Sequence, residues 1–221
     1  MSVRVFIFTA VVSVLLAGCR AVPPSMRRTL ATPYVPSNLY VRQGKLPDAI
    51  RRVAVLPLPA SRWDVNQAAG AQMLGPVLFA ELARRNAFEV VPVSLEEARK
   101  AAGGSGWSAD SALPNDFFDN LSRATGCDAV LFASLTVFQA YPPLRTGWKA
   151  RLVDCRQHQT WWAVDEVFDA GSNPVAAAAE AFARDDMNLP NTLLTDSGVL
   201  QSPLRFGQYT ASAVAGTIPA R

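Results

Sequence analysis

The sequence has little of the chemistry on which most metal proteins and many enzymes depend. Its 221 residues include one histidine and three cysteines, which excludes any site built from two or more histidines. No metal site is predicted. Hydrophobic residues make up 50% of the chain and charged residues 18%, a globular composition that is too apolar for disorder. The length allows one domain besides a targeting segment.

No apolar run near the N-terminus is long enough to span a membrane. Val5 to Leu16 is apolar for about twelve residues, whereas a spanning helix needs about twenty, so residues 1–18 are predicted to be a secretory signal peptide. The run ends in Leu16-Ala17-Gly18-Cys19, which resembles the bacterial lipobox. The resemblance implies cleavage before Cys19 and its modification with fatty acyl chains such as palmitate. Arg20 in place of an inner-membrane retention Asp implies the periplasmic side of the outer membrane. The alternative is an ordinary cleaved signal in which Cys19 is incidental.

The net charge is also small once the signal is removed. Residues 1–18 hold one arginine and no acid, so their loss leaves 20 basic side chains against 18 acidic ones, and no nucleic-acid partner is predicted. Residues 19–50 combine prolines with most of the excess basic residues, and they are predicted to be a tether of about thirty residues that reaches roughly 100 Å when extended. Two interpretations stay open for its basic residues: binding to anionic headgroups, or a solvated linker.

From residue 51 onward the pattern alternates between strands and helices. Apolar runs at 53–58, 88–93 and 129–138 predict strands, and helices at 67–85, 94–100 and 115–125 lie between them, as in parallel β-α-β units. Strand-like segments at 148–155 and 160–168 are separated by a four-residue turn and predict an antiparallel hairpin. The α/β domain is therefore assigned to residues 51–186, with a mixed five-stranded sheet. Residues 187–221 are predicted to be a C-terminal extension with a helix over 203–215.

Several short motifs in this order resemble the envelope lipoproteins related to the curli secretion protein CsgG. They are Val53-Ala54-Val55-Leu56-Pro57, Phe88 to Val93, Gly126-Cys127-Asp128, Leu152-Val153-Asp154 and Trp161-Trp162. The resemblance covers residues 51–186 and implies a three-layer α/β/α sandwich, shared with the N-terminal domain of TolB and with LpoB. It also implies a homo-oligomer, because relatives form rings.

The candidate catalytic groups have plainer interpretations. His158 is the one possible imidazole base, but no G-x-S-x-G nucleophile motif accompanies it, so we expect a hairpin-loop residue. Asp165-Glu166 and Asp185-Asp186 are the carboxylate pairs that a hydrolase could use. Neighbouring residues on a strand point to opposite faces, so the first pair is not expected to line one cleft. No catalytic residue and no cofactor are predicted.

Two further groups of residues carry open alternatives. Cys127 and Cys155 could form a disulfide in an oxidising compartment or remain free thiols. Pairing of the strands about Pro143 would place Cys155 nearer Leu131 than Cys127, which favours free thiols. The aromatic cluster of Trp148, Trp161 and Trp162 is either a partner interface or core packing. Since Trp161 and Trp162 face opposite sides of a strand, one of them is expected in the core and the other nearer the surface or under a helix.

Together these features predict a non-enzymatic, lipid-anchored envelope lipoprotein that serves as an interaction module in envelope assembly or export. Its expected partners are the membrane, through the N-terminal lipid, other envelope proteins, and further copies of itself. The first alternative is an activator of a peptidoglycan synthase. The second is an envelope hydrolase that uses carboxylates.

Overall fold

The computed structural model describes residues 34–61, 63–103, 107–108, 110–186 and 198–221. The predicted signal peptide and Cys19 lie outside the described residues. The described elements, in chain order, are β1 (Leu39–Val41), β2 (Arg52–Val55), α1 (Val65–Arg85), β3 (Glu89–Pro92), α2 (Leu95–Ala101), α3 (Phe117–Thr125), β4 (Ala129–Gln139), β5 (Arg145–Asp154), β6 (Thr160–Asp169), α4 (Asn173–Asp186) and α5 (Pro203–Gly216). Within these ranges, no helix has the length and apolar character needed to cross a membrane.

The six strands form one mixed sheet in the order β1-β6-β5-β4-β2-β3. Strands β3, β2 and β4 are parallel, and β4, β5, β6 and β1 are antiparallel. The prediction of parallel strands followed by an antiparallel hairpin is confirmed. The count of five strands is wrong, because β1 lies inside the predicted tether. Its three residues pair with Trp162 to Val164 of β6, and so short a strand leaves no pattern of its own in the sequence.

The segment before β1 is held by one buried carboxylate, that of Glu166 on β6. Its Oε1 accepts a hydrogen bond from the Tyr34 hydroxyl at 2.8 Å. Its Oε2 accepts from the backbone N–H groups of Ser37 at 2.6 Å and Asn38 at 3.1 Å, and from the Ser37 hydroxyl at 3.1 Å. Burial raises the pKa of Glu166, but these hydrogen bonds outweigh it and leave the pKa below its usual value. Burial and the bond to this carboxylate raise the pKa of Tyr34 to about 12.

The folded unit therefore begins well before residue 50. Leu46 and Ile50 are buried in the core, and the Leu46 N–H donates to the carbonyl of Ala220 at 2.9 Å. The predicted boundary between tether and domain is thus too late, because apolar residues separated by prolines and arginines still reach the core. Any tether between Cys19 and the described domain ends at residue 33.

Two apolar clusters pack on opposite faces of the sheet. Val53 and Leu131 point into the larger cluster with helices α1, α4 and α5, whereas Ala54 and Val130 point into the smaller one with α2 and α3. The alternation along each strand produces this division. The smaller cluster covers the β3-β2-β4 half of its face, and no helix of the described ranges lies in it opposite β6 or β1.

Helix α5 is part of the core and not an extension outside it. The indole Nε1 of Trp148 donates to the Thr210 hydroxyl at 2.9 Å, and that of Trp162 donates to the Thr217 hydroxyl at 3.0 Å. Both indoles are fully buried, so these two bonds fix the helix along the sheet. The predicted helix over 203–215 is confirmed, with Ser202 as its N-cap. The predicted domain end at residue 186 is wrong, because burial of this helix completes the larger cluster.

Candidate interaction site

The half of the sheet that the smaller cluster leaves open, as far as the described residues extend, forms a candidate interaction site, which we call the uncovered face. Register places one row of side chains from three strands on this side, because paired residues of antiparallel strands share a face: Tyr40 pairs with Ala163 and Ala163 with Arg151. The uncovered face is defined by Tyr40, Lys149, Arg151, Trp161, Ala163, Asp165 and Val167. Tyr40 is 49% exposed and Val167 is 37% exposed.

Two arginine side chains of this face lie over aromatic rings. The guanidinium carbon of Arg42 is 5.5 Å from the centre of the Trp161 ring, close enough for a cation–π contact. The corresponding carbon of Arg151, on the neighbouring strand, lies 5.8 Å from the ring of Phe132 beneath it. Each guanidinium is therefore within cation–π distance of an aromatic ring of the sheet.

Two polar donors of this face lack a hydrogen-bond partner within the described chain. They are Nε1 of Trp161 and Nε of Arg151, and both atoms are hidden from solvent. A buried donor without an acceptor is uncommon in folded proteins and costs about 1–3 kcal/mol. Acceptors supplied by a bound partner would remove that cost at both positions.

Charged side chains border these donors. Lys149 Nζ lies 2.6 Å from Oδ2 of Asp110 and 4.0 Å from Oδ2 of Asp165. The hydrogen bond with Asp110 raises the pKa of Lys149. The face therefore combines aromatic side chains and arginines, both of which are enriched at protein–protein interfaces, with a neighbouring lysine and its acidic partners.

The three tryptophans named from the sequence separate into two roles. Trp148 and Trp162 are fully buried and bonded to α5, so neither belongs to a surface in this fold. Trp161 is half-buried on the opposite side of β6. The expectation that Trp161 and Trp162 divide between surface and core is confirmed. Tyr40, Arg42 and Arg151 were missed, since only the register shows which strands lie beside Trp161.

The two remaining cysteines are brought together against expectation. The Sγ atoms of Cys127 and Cys155 are 3.7 Å apart, and both thiols are buried and unbridged. The predicted offset is wrong for two reasons: the turn centres on Pro142, and a bulge at Thr136 moves the register one residue further. The hydrogen bond between the thiols lowers the pKa of Cys127 and raises that of Cys155. Cys127 is thus the more easily ionised of the pair.

Among the side chains that the structure describes, the carboxylate and imidazole candidates do not form a catalytic site. Asp165 is exposed on the uncovered face, while Glu166 points to the other side and holds the segment before β1. The side chains of Asp185 and Asp186 lie outside what the structure describes. His158 is in the β5–β6 turn with a positive φ of 55°, and its ring stacks on Phe118 at 4.6 Å. Within the described ranges, no group of three or more metal-binding side chains occurs.

A cleft of about 300 Å³ lies at the edge of the sheet where β4 ends and α1 begins. It is lined by Asp64, Asn66 and Gln67 on one side and by residues 136–141 on the other. Asp64 caps α1 by accepting from the N–H groups of Asn66 and Gln67, and Gln67 Nε2 donates to the Thr136 carbonyl at 3.0 Å. The Thr136 hydroxyl is buried without a partner among the described residues, and the described lining holds no convergent set of catalytic side chains.

Comparison with known proteins shows similarity among solved structures alone. No protein-family model matches the chain, and no curated protein matches it. The chain is similar to PelC from Paraburkholderia phytofirmans, solved as a dodecamer, with 11% identity, 83% of this chain and 98% of that chain covered, and a TM-score of 0.45. Lipoprotein GNA1162 from Neisseria meningitidis gives 22% identity, 65% and 99% coverage, and a TM-score of 0.42. LpoB from E. coli gives 20% identity, 54% and 58% coverage, and a TM-score of 0.36.

These likenesses carry no conclusion about what the chain does, because each TM-score lies below 0.5. The predicted membership of the CsgG-related family stays a prediction, since no family model matches.

Proposed function

We propose that the chain is an outer-membrane lipoprotein, anchored through acyl chains on Cys19, whose α/β domain binds another envelope protein through the uncovered face. It acts by contact and carries out no reaction of its own. The observation that carries this proposal is the uncovered face itself. Among the residues that the structure describes, it is an open half of a sheet that combines Tyr40 and Trp161 with arginines and two buried donors lacking acceptors.

The anchor follows from the sequence motif Leu16-Ala17-Gly18-Cys19. One acyl chain gives marginal membrane binding and several give a durable anchor. Fifteen residues, 19–33, separate Cys19 from the described domain. At about 3.3–3.6 Å per residue they span at most about 50 Å, half of the reach first expected. The first described residue, Tyr34, can therefore lie no farther than about 50 Å from the proposed anchor point.

A non-enzymatic role is supported by the positions of the candidate catalytic groups. Both oxygens of Glu166 accept hydrogen bonds from the segment before β1, which leaves this carboxylate no freedom to act as an acid or base. His158 lies in the β5–β6 turn, at the opposite edge of the sheet from the cleft. We retain the homo-oligomer as part of the proposal, with a second copy as one of the proteins that the uncovered face could bind.

The anchor is tested by comparing the wild-type chain with Cys19→Ser in cell fractions. The wild-type protein is expected in the outer-membrane fraction, processed and labelled by a fatty-acid probe. The Cys19→Ser variant is expected to lose the label and leave that fraction. Unchanged processing and fractionation of Cys19→Ser would contradict the anchor.

The binding face is tested with the partner that crosslinks to the lipidated protein, identified by mass spectrometry and then purified. We expect Trp161→Ala to weaken binding of that partner about 30-fold, which corresponds to a hot spot of about 2 kcal/mol. Leu204→Ser is the matched control, since Leu204 is 49% exposed on α5, which packs on the other side of the sheet from the uncovered face. Equal affinities for wild type and Trp161→Ala would reject the face as the binding site.

A further inference from the structure

The most exposed large hydrophobic side chains of the described domain gather at one edge of the sheet. We call this the carboxyl edge, because β2, β3 and β4 all end there. Trp63 is 96% exposed, Val65 83%, Tyr141 80% and Val35 63%, and each of the other exposed large hydrophobics is below 50%. We name these four residues the apolar rim.

Topology places all four residues at this edge. Trp63 and Val65 stand where α1 begins, beside the cleft that residues 136–141 line from the end of β4. Tyr141 lies in the turn between β4 and β5. Val35 precedes β1, which runs antiparallel to β6 and so begins at the same edge. Strands lie about 4.8 Å apart, so the rim extends over roughly 15–20 Å from β1 to β4.

The opposite edge differs in character. It carries the turns around Asn86, Gly126 and residues 155–159, and no large hydrophobic side chain of the described chain is exposed there. The apolar exposure is therefore a property of one edge and not of the surface in general. A cluster of exposed Trp and Tyr with apolar neighbours is typical of contact with a membrane interface.

The direction in which the chain leaves the domain toward Cys19 indicates that the carboxyl edge contacts a membrane. Tyr34 packs its ring 5.6 Å from Phe168 near the end of β6, so the chain leaves the domain at the carboxyl edge. The fifteen residues that follow toward Cys19 reach at most about 50 Å, and Arg20, Arg27 and Arg28 among them suit an anionic surface. The edge that is apolar is thus also the edge from which the anchor departs.

We propose that the apolar rim is a lipid-binding site that inserts Trp63, Val65, Tyr141 and Val35 into the headgroup region of the membrane holding the anchor. This inference rests on the proposed lipid anchor at Cys19. The domain lies with its carboxyl edge on the bilayer, and the uncovered face stands roughly perpendicular to the membrane plane, open to neighbouring proteins.

The test uses the acylated full chain in vesicles of phosphatidylethanolamine and phosphatidylglycerol whose acyl chains carry bromine as a fluorescence quencher. Trp107, Trp148 and Trp162 are buried and Trp161 is half-buried, so Trp63 is the indole most open to lipid. We expect brominated lipid to quench the Trp63 emission and expect this component to be lost in Trp63→Ser. Trp161→Phe is the matched control and should retain the quenching.

A second experiment measures lipid binding by the apolar rim in a protein that carries no lipid anchor. Residues 19–221 with Cys19→Ser carry no acyl chain, and their partition into the same vesicles reports the rim alone. We expect the double variant Trp63→Ser/Tyr141→Ser to lower the partition coefficient at least about tenfold, the factor for withdrawing two partly inserted aromatic side chains. Tyr40→Ser, at an exposed tyrosine off the rim, should leave it unchanged.

The outcomes separate the two proposals. Lack of acylation together with rim-dependent partition would reject the anchor and keep the lipid-binding rim. An anchored chain in which Trp63 is reached by an aqueous quencher but not by brominated lipid would overturn the rim. Loss of a purified protein partner in the double variant, with lipid partition unaltered, would overturn it too and assign the edge to protein binding. The substituted side chains are solvent-exposed, and an unchanged thermal midpoint confirms that each variant is folded.

Discussion

Substitution of the carboxylate that holds the N-terminal segment gives the sharpest test of the fold. Glu166→Gln keeps the size of the side chain and removes its charge. Hydrogen bonds to a charged group contribute about 1.5–3 kcal/mol and neutral ones about 0.5–1.5 kcal/mol. Since the bonds from Ser37, Asn38 and Tyr34 share one carboxylate, their losses do not add, and we expect a total of about 2 kcal/mol.

Amide hydrogen exchange measures this loss where it occurs. A reduction of about 2 kcal/mol in the free energy of local opening makes exchange of the Ser37 and Asn38 amides about 30-fold faster. Asp165→Asn is the matched control, because Asp165 adjoins Glu166 but is exposed on the other face. Equal exchange rates in Glu166→Gln and wild type would refute the assignment of this carboxylate as the clamp.

The same variant also tests how the stabilisation by Glu166 depends on pH. The folded pKa of Glu166 is lowered, so its stabilisation is complete above the unfolded value of about 4.3 and is lost as the pH falls through the folded value. The difference between wild type and Glu166→Gln should stay constant from about pH 7 to pH 5 and shrink below about pH 4.3. A difference that grows on acidification would contradict this.

Three further predictions concern packing and the thiols. Trp162→Ala should lower the free energy of unfolding by about 3–5 kcal/mol in urea titrations and Trp161→Ala by about 1 kcal/mol or less, because the first indole is fully buried and the second half-buried; comparable losses would place both in the core. Gly147→Ala should cost about 1–3 kcal/mol, since its Cβ would lie 2.9 Å from a backbone nitrogen at the bulge, and a neutral effect in the same titration would be evidence against the bulge. Refolding in the presence of a small-molecule disulfide, which is reduced as the bridge forms, should join Cys127 to Cys155, giving two fewer titratable thiols in denaturant without reductant than with it; equal counts would exclude the bridge.

The regular elements were predictable because their side-chain periods are local. The apolar run at Val53 and the capping-box spacing of Ser94 with Glu97 each identify an element, and the structure has both. Strand β1 could not be found this way, because three residues carry no period and its stability comes from pairing with β6. The last helix was recognised, but the Trp148–Thr210 bond that makes it part of the core is a tertiary contact.

The candidate site was predictable in part. The two-residue period of a strand is enough to send Trp161 and Trp162 to opposite faces, but which face a helix covers depends on how α5 packs. The approach of Cys127 to Cys155 depends on a bulge that shifts the register. Gly147, a glycine inside a strand, is the one sequence signal for that bulge.

Photo-crosslinking in intact cells from a reactive side chain at position 163 asks whether the uncovered face touches another protein. Ala163 lies at the centre of the uncovered face, between Tyr40 and Arg151, whereas Gln157 in the β5–β6 turn serves as an exposed reference position. If the anchored chain binds a protein through the uncovered face, we expect a defined protein adduct from position 163 that is absent from position 157 and lost in Cys19→Ser. The absence of an adduct from position 163 in the membrane-anchored protein would contradict it.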